Sequence, residues 1–418
     1  MYKITQTIAS EDFIHRHRRK EVDFTRRSLF TFERVVGVLL TTLMRSLQVE
    51  LDQFFAHTDL PDGRIARDDA FRMARKKLKA SAFTELNQLI VADAPTTARW
   101  HGYRVLAADS TTLMLPATHP DTRSEDKGFN CYHYPGGLYS LARGAGLCDT
   151  ATGLMLRADI ASDAKGERDM LVEQLEQVKC DDLLVLDRGY PAYWLFALLN
   201  QRGHTFCMRL TTSFNTAVKS FVASGRVSAI VAINPGKEQH PTFKQHDLPI
   251  KPFSLRLVRV LLPSGQIEVL ATNLLDDTAY PAADFAELYH RRWRIEEAFR
   301  HLKSRLKLEQ FGGETPLAIR QEFHATILLH NLATLAAMDA LSQRGETEIH
   351  TFSVNLTHAS HLIRLHLPRL LASPEQRTSL CQLLLVLIAK KITRRRLGRC
   401  GTLRKPDREK PHPHRAYK

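Results

Sequence analysis

The chain has 418 residues, 44% hydrophobic and 25% charged, which is ordinary for a soluble globular protein and enough for two or three domains. Its net charge of +14 and pI of about 9.6 point to a polyanionic partner. The charge is lopsided: residues 390–418 hold 12 Lys/Arg against 2 Asp/Glu, so this tail contributes +10 and the body only +4. The N-terminal Met1-Tyr2-Lys3-Ile4-Thr5 has no apolar stretch of the kind a secretory signal needs, and Leu383–Ala389 is too short to cross a bilayer. The six cysteines (Cys131, Cys148, Cys180, Cys207, Cys381 and Cys400) form no C-x-x-C pair, so free thiols in a cytoplasmic protein are expected.

Residues 1–97 read as helical, with apolar residues at helical spacing over Phe32–Leu51 and again over Asp69–Val91. The second stretch carries Arg72, Arg75, Lys76, Lys77 and Lys79, and a basic run, His15–Lys20, precedes the first. Either could be a solvated face or a DNA contact. From Tyr103 the pattern changes. Val105–Leu115 is a nearly continuous apolar run, as in a central strand buried on both faces. Tyr139–Cys148 and Leu154–Ile160 form a hairpin, a helix over Glu167–Val178 leads to the strand Leu183–Leu186, Pro191 opens another helix, and His204–Leu210 is a further strand. This order predicts a mixed sheet with helices on its faces.

Between about 211 and 274 short strands dominate, with Leu255–Leu262 and Gln266–Asn273 flanking a Pro263-Ser264-Gly265 turn, so an all-β insertion is expected. A long helix follows, with Asp284 as N-cap, Glu287 three residues later, and Gly312-Gly313 at its end. Residues 316–389 return to helical spacing, and 390–418 form the basic tail, which is expected to order only on a partner.

Three segments carry the chemistry. Asp109 is read at or near the end of a buried strand, and Asp187 ends the fully apolar Leu183–Leu186, the place where open α/β sheets present functional groups. On the long helix, with Leu288 at zero, Ile295, Phe299, Leu302 and Leu306 fall within about 40°, while Arg292, Lys303, Glu296 and Tyr289 occupy a strip from about 40° to about 100° beside that apolar stripe. Glu297 falls near 180°, toward solvent. Carboxylates gathered from distant segments are a common way to hold a divalent metal.

Tyr289-x2-Arg292-x3-Glu296-x6-Lys303 resembles the Y-x2-R-x3-E-x6-K motif of the insertion-sequence-four family of bacterial DDE transposases. Asp187-Arg188-Gly189-Tyr190 is similar to that family's second-Asp motif and Asp109-Ser110-Thr111 to its first, over roughly residues 100–315. The resemblance implies an RNase H-like catalytic domain over 98–315 and cut-and-paste transposition. Asp109, Asp187 and Glu296 would bind two Mg²⁺ ions (Mn²⁺ can substitute), one activating a water or 3′-OH and the other stabilising the leaving oxygen. It further implies that Tyr289, Arg292 and Lys303 grip DNA backbone. Trp293 is a candidate for stacking on an unpaired base. The implied partners are terminal inverted repeats and target DNA, bound by a homodimer on paired ends, with no membrane; when bound, the protein would be nucleoid-associated. A nuclease of the same fold without strand transfer, and a DNA-binding repressor derived from a transposase, are the alternatives. All three carboxylates are present, which disfavours the repressor, and no G-x-x-x-x-G-K-[ST] loop supports an NTPase.

Overall fold

The computed structural model describes residues 2–26, 28–41, 46–56, 65–95, 98–124, 127–134, 137–343 and 352–394. All but the first five residues of the basic tail, and with them its expected ordering on a partner, lie outside the described residues.

The centre of the molecule is one mixed sheet. It is built from β1 (Arg104–Leu115), β2 (Asn130–Tyr134), β3 (Gly137–Asp149), β4 (Met155–Ser162), β5 (Asp182–Leu186), β6 (Thr205–Leu210), β7 (Ser228–Ile233), β8 (Phe253–Leu261) and β9 (Ile267–Thr272). β1 pairs antiparallel with β3, and β2 and β4 both pair with β3; β5 and β6 continue parallel to β1 on its other side. β9, β8 and β7 then extend the sheet, antiparallel, beyond β6. This is the mixed sheet with helices on its faces that was expected.

Alternation along β1 divides the core. Val105 and Ala107 face one hydrophobic cluster and Leu106 and Ala108 the other, all of them within 2% of full burial. The first cluster is covered by α6 (Ser81–Ala92), α12 (Trp293–Ser304) and α13 (Pro316–Ser342); the second by α7 (Glu167–Gln174) and α8 (Tyr193–Gln201). Burial on both faces accounts for the unbroken apolar runs of β1 and β5.

Four expectations need correction. The 211–274 segment is not all-β: it also holds α9 (Thr216–Ala223) and α10 (His240–Gln245), and its strands join the main sheet through the β6–β9 pairing. The Asp69–Val91 stretch is two helices, α5 (Asp68–Arg75) and α6, because the chain between them pairs with another segment: Arg19 N–H donates to Lys77 O at 2.8 Å and Lys79 N–H to His17 O at 2.8 Å. Phe32–Leu51 likewise divides into α3 (Phe32–Leu40) and α4 (Leu47–Phe55). The long helix is also two, α11 (Phe285–His290) and α12, and it ends at Ser304 rather than at Gly312-Gly313. At the break, Arg292 N–H bonds back to Tyr289 O and Ile295 N–H to Arg292 O, three residues apart, tightening the turn in the 3₁₀ manner. At the end, Lys307 takes a left-handed conformation (φ 55°) while Leu306 and Leu308 on either side are buried. The burial of two flanking leucines makes a non-glycine tolerable there. Asp284 gives α11 no side-chain cap; its carboxylate pairs with His101 Nε2 at 2.8 Å instead.

α13 is long and apolar enough to cross a membrane by composition, but most of it is buried inside the protein, so it serves as a core helix. It packs against α6, α14 (Leu356–Ala372) and α15 (Arg377–Ala389). One polar pair lies in its packing against α12. His301 Nδ1 is 3.1 Å from His330 Nδ1, and His330 Nε2 donates to Gly153 O at 3.1 Å. That network suits a neutral His330, which accepts at Nδ1 from His301 and donates at Nε2 to Gly153 O, since a proton on its Nδ1 would set two donors face to face.

Burial lowers His301 to about 4, and burial together with His301 lowers His330 to about 3. Because both values lie below the unfolded 6.5, the unfolded chain takes up protons first as pH falls. The stability these rings contribute is therefore complete above about 6.5 and is lost progressively toward pH 4 and below. The urea midpoint should drop between pH 7 and pH 5, and less steeply in His330→Gln than in the wild type. Comparing the two cancels carboxylates of opposite sign such as Asp149, whose pKa burial raises. Identical slopes for both proteins would refute the assignment.

Candidate active site

Asp109 and Asp187 are brought side by side by strand register. β1 and β5 run parallel with Leu106 beside Leu184 and Ala107 beside Val185, and the same offset carried two residues further puts Asp109 beside Asp187. Alternation places both on the face of Val105, Ala107, Leu183 and Val185, beneath α12. Asp109 lies within β1 rather than at its end, because β1 runs on past its parallel neighbour to pair with β3 alone, where Asp109 sits opposite Gly146. A Cβ on Gly146 would lie 3.2 Å from Phe299 of α12, so the glycine lets the helix settle close to the carboxylates.

Glu296 lies in the first turn of α12 and is half-buried, whereas Glu297 is exposed and pairs with Arg294 at 3.1 Å. Arg292 is 7% exposed and donates from Nη2 to Glu296 Oε1 at 2.6 Å. Electrostatically the three carboxylates form one group. Burial raises the Asp109 carboxyl to about 6; the backbone N–H of Ser110 opposes the rise, Asp187 and Glu296 add to it, and Arg292 offsets part of it. The site is thus short of positive charge. Its donors are all oxygen, which suits a hard divalent cation. Among the described residues, no group of three or more His, Cys, Asp or Glu stands close enough to hold a metal ion, and Glu296 is held by Arg292.

The other motif residues surround this group. Tyr289 is buried with its hydroxyl unpartnered, and Arg292 Nε is likewise buried and unpartnered. The Arg292 guanidinium lies 5.7 Å from the ring centroids of both Tyr289 and Trp293, and Trp293 is 48% exposed. Lys303 donates to Thr112 O of β1 at 2.6 Å and approaches Glu309 at 3.3 Å, so it ties the end of α12 to the strand bearing Asp109.

Glu167, beside the site, and Arg256, farther along the sheet, were not singled out by sequence. Glu167, the first residue of α7, accepts a hydrogen bond from Ser110 Oγ at 3.2 Å. Arg256 on β8, 1% exposed, donates to Tyr280 O at 2.7 Å and to Ser228 Oγ at 2.8 Å, bracing the segment that leads into α11. An arginine inside an apolar strand could have signalled such a strut; a glutamate at a helix start carries no such signal.

The model of the family described as "Transposase DDE domain" matches residues 100–332, more than half of the chain. The chain belongs to the DDE-domain transposases. It is 22% identical over 282 residues to transposase InsG for insertion sequence element IS4 of Escherichia coli (strain K12), covering 65% of this chain and 62% of that one. It is 36% identical over 86 residues to the putative transposase y4zB of Sinorhizobium fredii (strain NBRC 101917 / NGR234), 21% of this chain and 23% of that one. The matches span less than two thirds of either relative's length. A cryo-EM structure of a piggyBac transposase synaptic complex with hairpin DNA aligns with a TM-score of 0.48 and 12% identity, over 92% of this chain and 84% of that one. The insertion-sequence-four resemblance is borne out by the InsG match. DDE transposases generally use divalent metal ions.

Proposed function

We propose that this transposase cleaves DNA at the ends of an insertion element and transfers the freed 3′ ends into target DNA. The observation that supports this best is the pairing of Asp109 and Asp187 on adjacent parallel strands with Glu296 above them, in a site short of positive charge. In this reading Asp109, Asp187 and Glu296 hold Mg²⁺, or Mn²⁺ in its place. The metal supplies Lewis-acid stabilisation of charge that develops on the phosphate oxygens.

The chain's own residues bind and orient. Tyr289 and Arg292 have buried polar atoms without partners, and such atoms are costly unless a ligand meets them; a backbone phosphate would accept from both. Trp293 is exposed enough to stack on an unpaired base. Lys303 keeps α12 fixed against β1, so that Glu296 stays over Asp109. The substrates are terminal inverted repeats and target DNA, two ends being paired by a homodimer in the cytoplasm.

Supercoiled plasmid carrying the inverted repeats that flank the coding region tests this. Cutting at the element ends is expected with Mg²⁺ or Mn²⁺ and not with EDTA, with joined products when target DNA is added. Asp109→Ala and Asp187→Ala should each be inactive, and full activity of either would exclude the assignment. Cutting without any joined product would favour a nuclease.

A further inference from the structure

The strand register that sets Asp109 beside Asp187 extends to a third strand. β5 and β6 run parallel with Val185 beside Cys207 and Leu186 beside Met208, and the same offset one residue further puts Asp187 beside Arg209. Alternation from Cys207, which faces the core beneath α12, sends Arg209 to the face that carries both aspartates. Asp109, Asp187 and Arg209 therefore form one row across three neighbouring strands, and at the usual strand spacing Arg209 stands about 10 Å from Asp109. The Arg209 side chain keeps 28% exposure and meets Glu268 Oε1 of β9 through Nη1 at 2.9 Å; among the described residues this carboxylate is its only side-chain partner. Tyr289 lies over the same place. Burial raises the pKa of its hydroxyl, and the two cations that oppose the rise are Arg292 and Arg209. Tyr289 is 7% exposed and its hydroxyl has no partner, nor has the buried Nε of Arg292.

An ion pair on a sheet face can be no more than a fastening. Stability alone does not call for one here, because apolar side chains of similar volume often serve a buried position as well or better. The adjoining positions on this face, Cys207 and Leu270, are indeed apolar and fully buried. Glu268 also occupies only one corner of a guanidinium whose planar fork is suited to gripping an anion with two parallel N–H bonds. The unmet hydroxyl of Tyr289 and Nε of Arg292 are costly unless an acceptor reaches them, and one anion in front of Arg209 would meet all three side chains. We propose that Arg209 is a DNA-binding residue of the active site: with Tyr289 and Arg292 it grips the phosphate next to the one being cut, and Glu268 holds the guanidinium ready for it. The distance from Asp109 leaves the scissile phosphate itself to the carboxylates. This inference rests on the reading of Tyr289 and Arg292 as phosphate contacts.

Arg209→Leu combined with Glu268→Leu removes the pair without stranding a charge and leaves the net charge of the chain unchanged. Binding of the full-length protein to a labelled duplex carrying an element end, measured over a range of salt, counts phosphate contacts: each one lost flattens the slope of log K against log salt by about 0.9. The double variant should lose about that much slope while binding Mn²⁺ and melting like wild type. Arg209→Lys should keep the slope but bind the end more weakly, because an ammonium cannot make the forked bonds. A fastening role gives the opposite pattern, a lowered melting temperature with a wild-type slope, and that result overturns the inference. Wild-type end affinity in Arg209→Lys overturns it too, and needs no double variant to fold. Arg292→Gln separates this inference from the reading beneath it. If Arg292→Gln flattens the slope and the double variant does not, Arg209 is structural and the phosphate reading stands. If neither flattens it, both fall.

Discussion

Glu296→Gln should reduce cleavage of element ends by at least about 100-fold, and Glu297→Gln should leave it near wild type. Groups that merely support metal ligands are worth about 10–100-fold, so loss of a ligand's charge costs no less. Glutamine keeps the shape of Glu296 and can still accept from Arg292, so the fold should survive. Binding to the ends should survive as well. Glu297 is exposed and holds only Arg294, a pair 3.1 Å apart of the kind worth little at a surface. Single-turnover cleavage of labelled end DNA, with a binding assay beside it, checks both variants. The opposite ranking would mean that α12 presents its other side to β1 and β5, and the roles given to Tyr289 and Arg292 would fall with it.

That register was legible in the sequence only in part. The helical wheel placed Glu296 beside the apolar stripe and Glu297 outside it, and both positions hold. It did so because Ile295, Phe299 and Leu302 lie within α12 itself, where a single period applies. Tyr289 belongs to α11, and no glycine or proline marks the tightened turn between the two helices, so the wheel had no reason to break there. Strand recognition shows the same division. β1 and β5 are buried on both faces and read as continuous apolar runs, whereas β7 buries only Ile233 fully and leaves Ile230 58% exposed at the sheet edge. An edge strand with one poorly covered face leaves little periodic signal. The pairing of Asp109 with Asp187 is a matter of register between strands some eighty residues apart, which periodicity within either strand cannot supply; the family motifs supplied it. Glu167 was invisible for a related reason, since its neighbours are reached only through the sheet.

The basic stretch at Arg72–Lys79 left open whether it is a solvated face or a DNA contact, and Arg75 decides differently from the rest. Arg75 is 6% exposed and donates to Gln321 Oε1 at 3.1 Å, Glu322 Oε1 at 2.8 Å and Ala318 O at 3.1 Å. Gln321 answers by donating to Arg75 O and Leu78 O, and Glu322 Oε2 accepts from Gly312 N at 2.7 Å. This network fastens α5 to the start of α13 and thus the N-terminal helices to the core. Removing one member of a buried ion pair strands the other charge, so Arg75→Ala should cost about 3–5 kcal/mol of unfolding free energy. Adding Glu322→Ala to it should cost less than the two single losses combined, since the stranded charge is then gone. Arg75→Lys should fall between, because an ammonium cannot make the forked set of bonds. Arg72, 54% exposed and 3.5 Å from Asp68, should cost under about 0.5 kcal/mol when replaced by alanine. Urea titrations of the five variants, the Glu322→Ala single included, give these numbers directly. If Arg75→Ala unfolds like wild type but loses affinity for DNA, the guanidinium must leave this network to meet a phosphate, and the N-terminal helices are then mobile on the core rather than fastened to it.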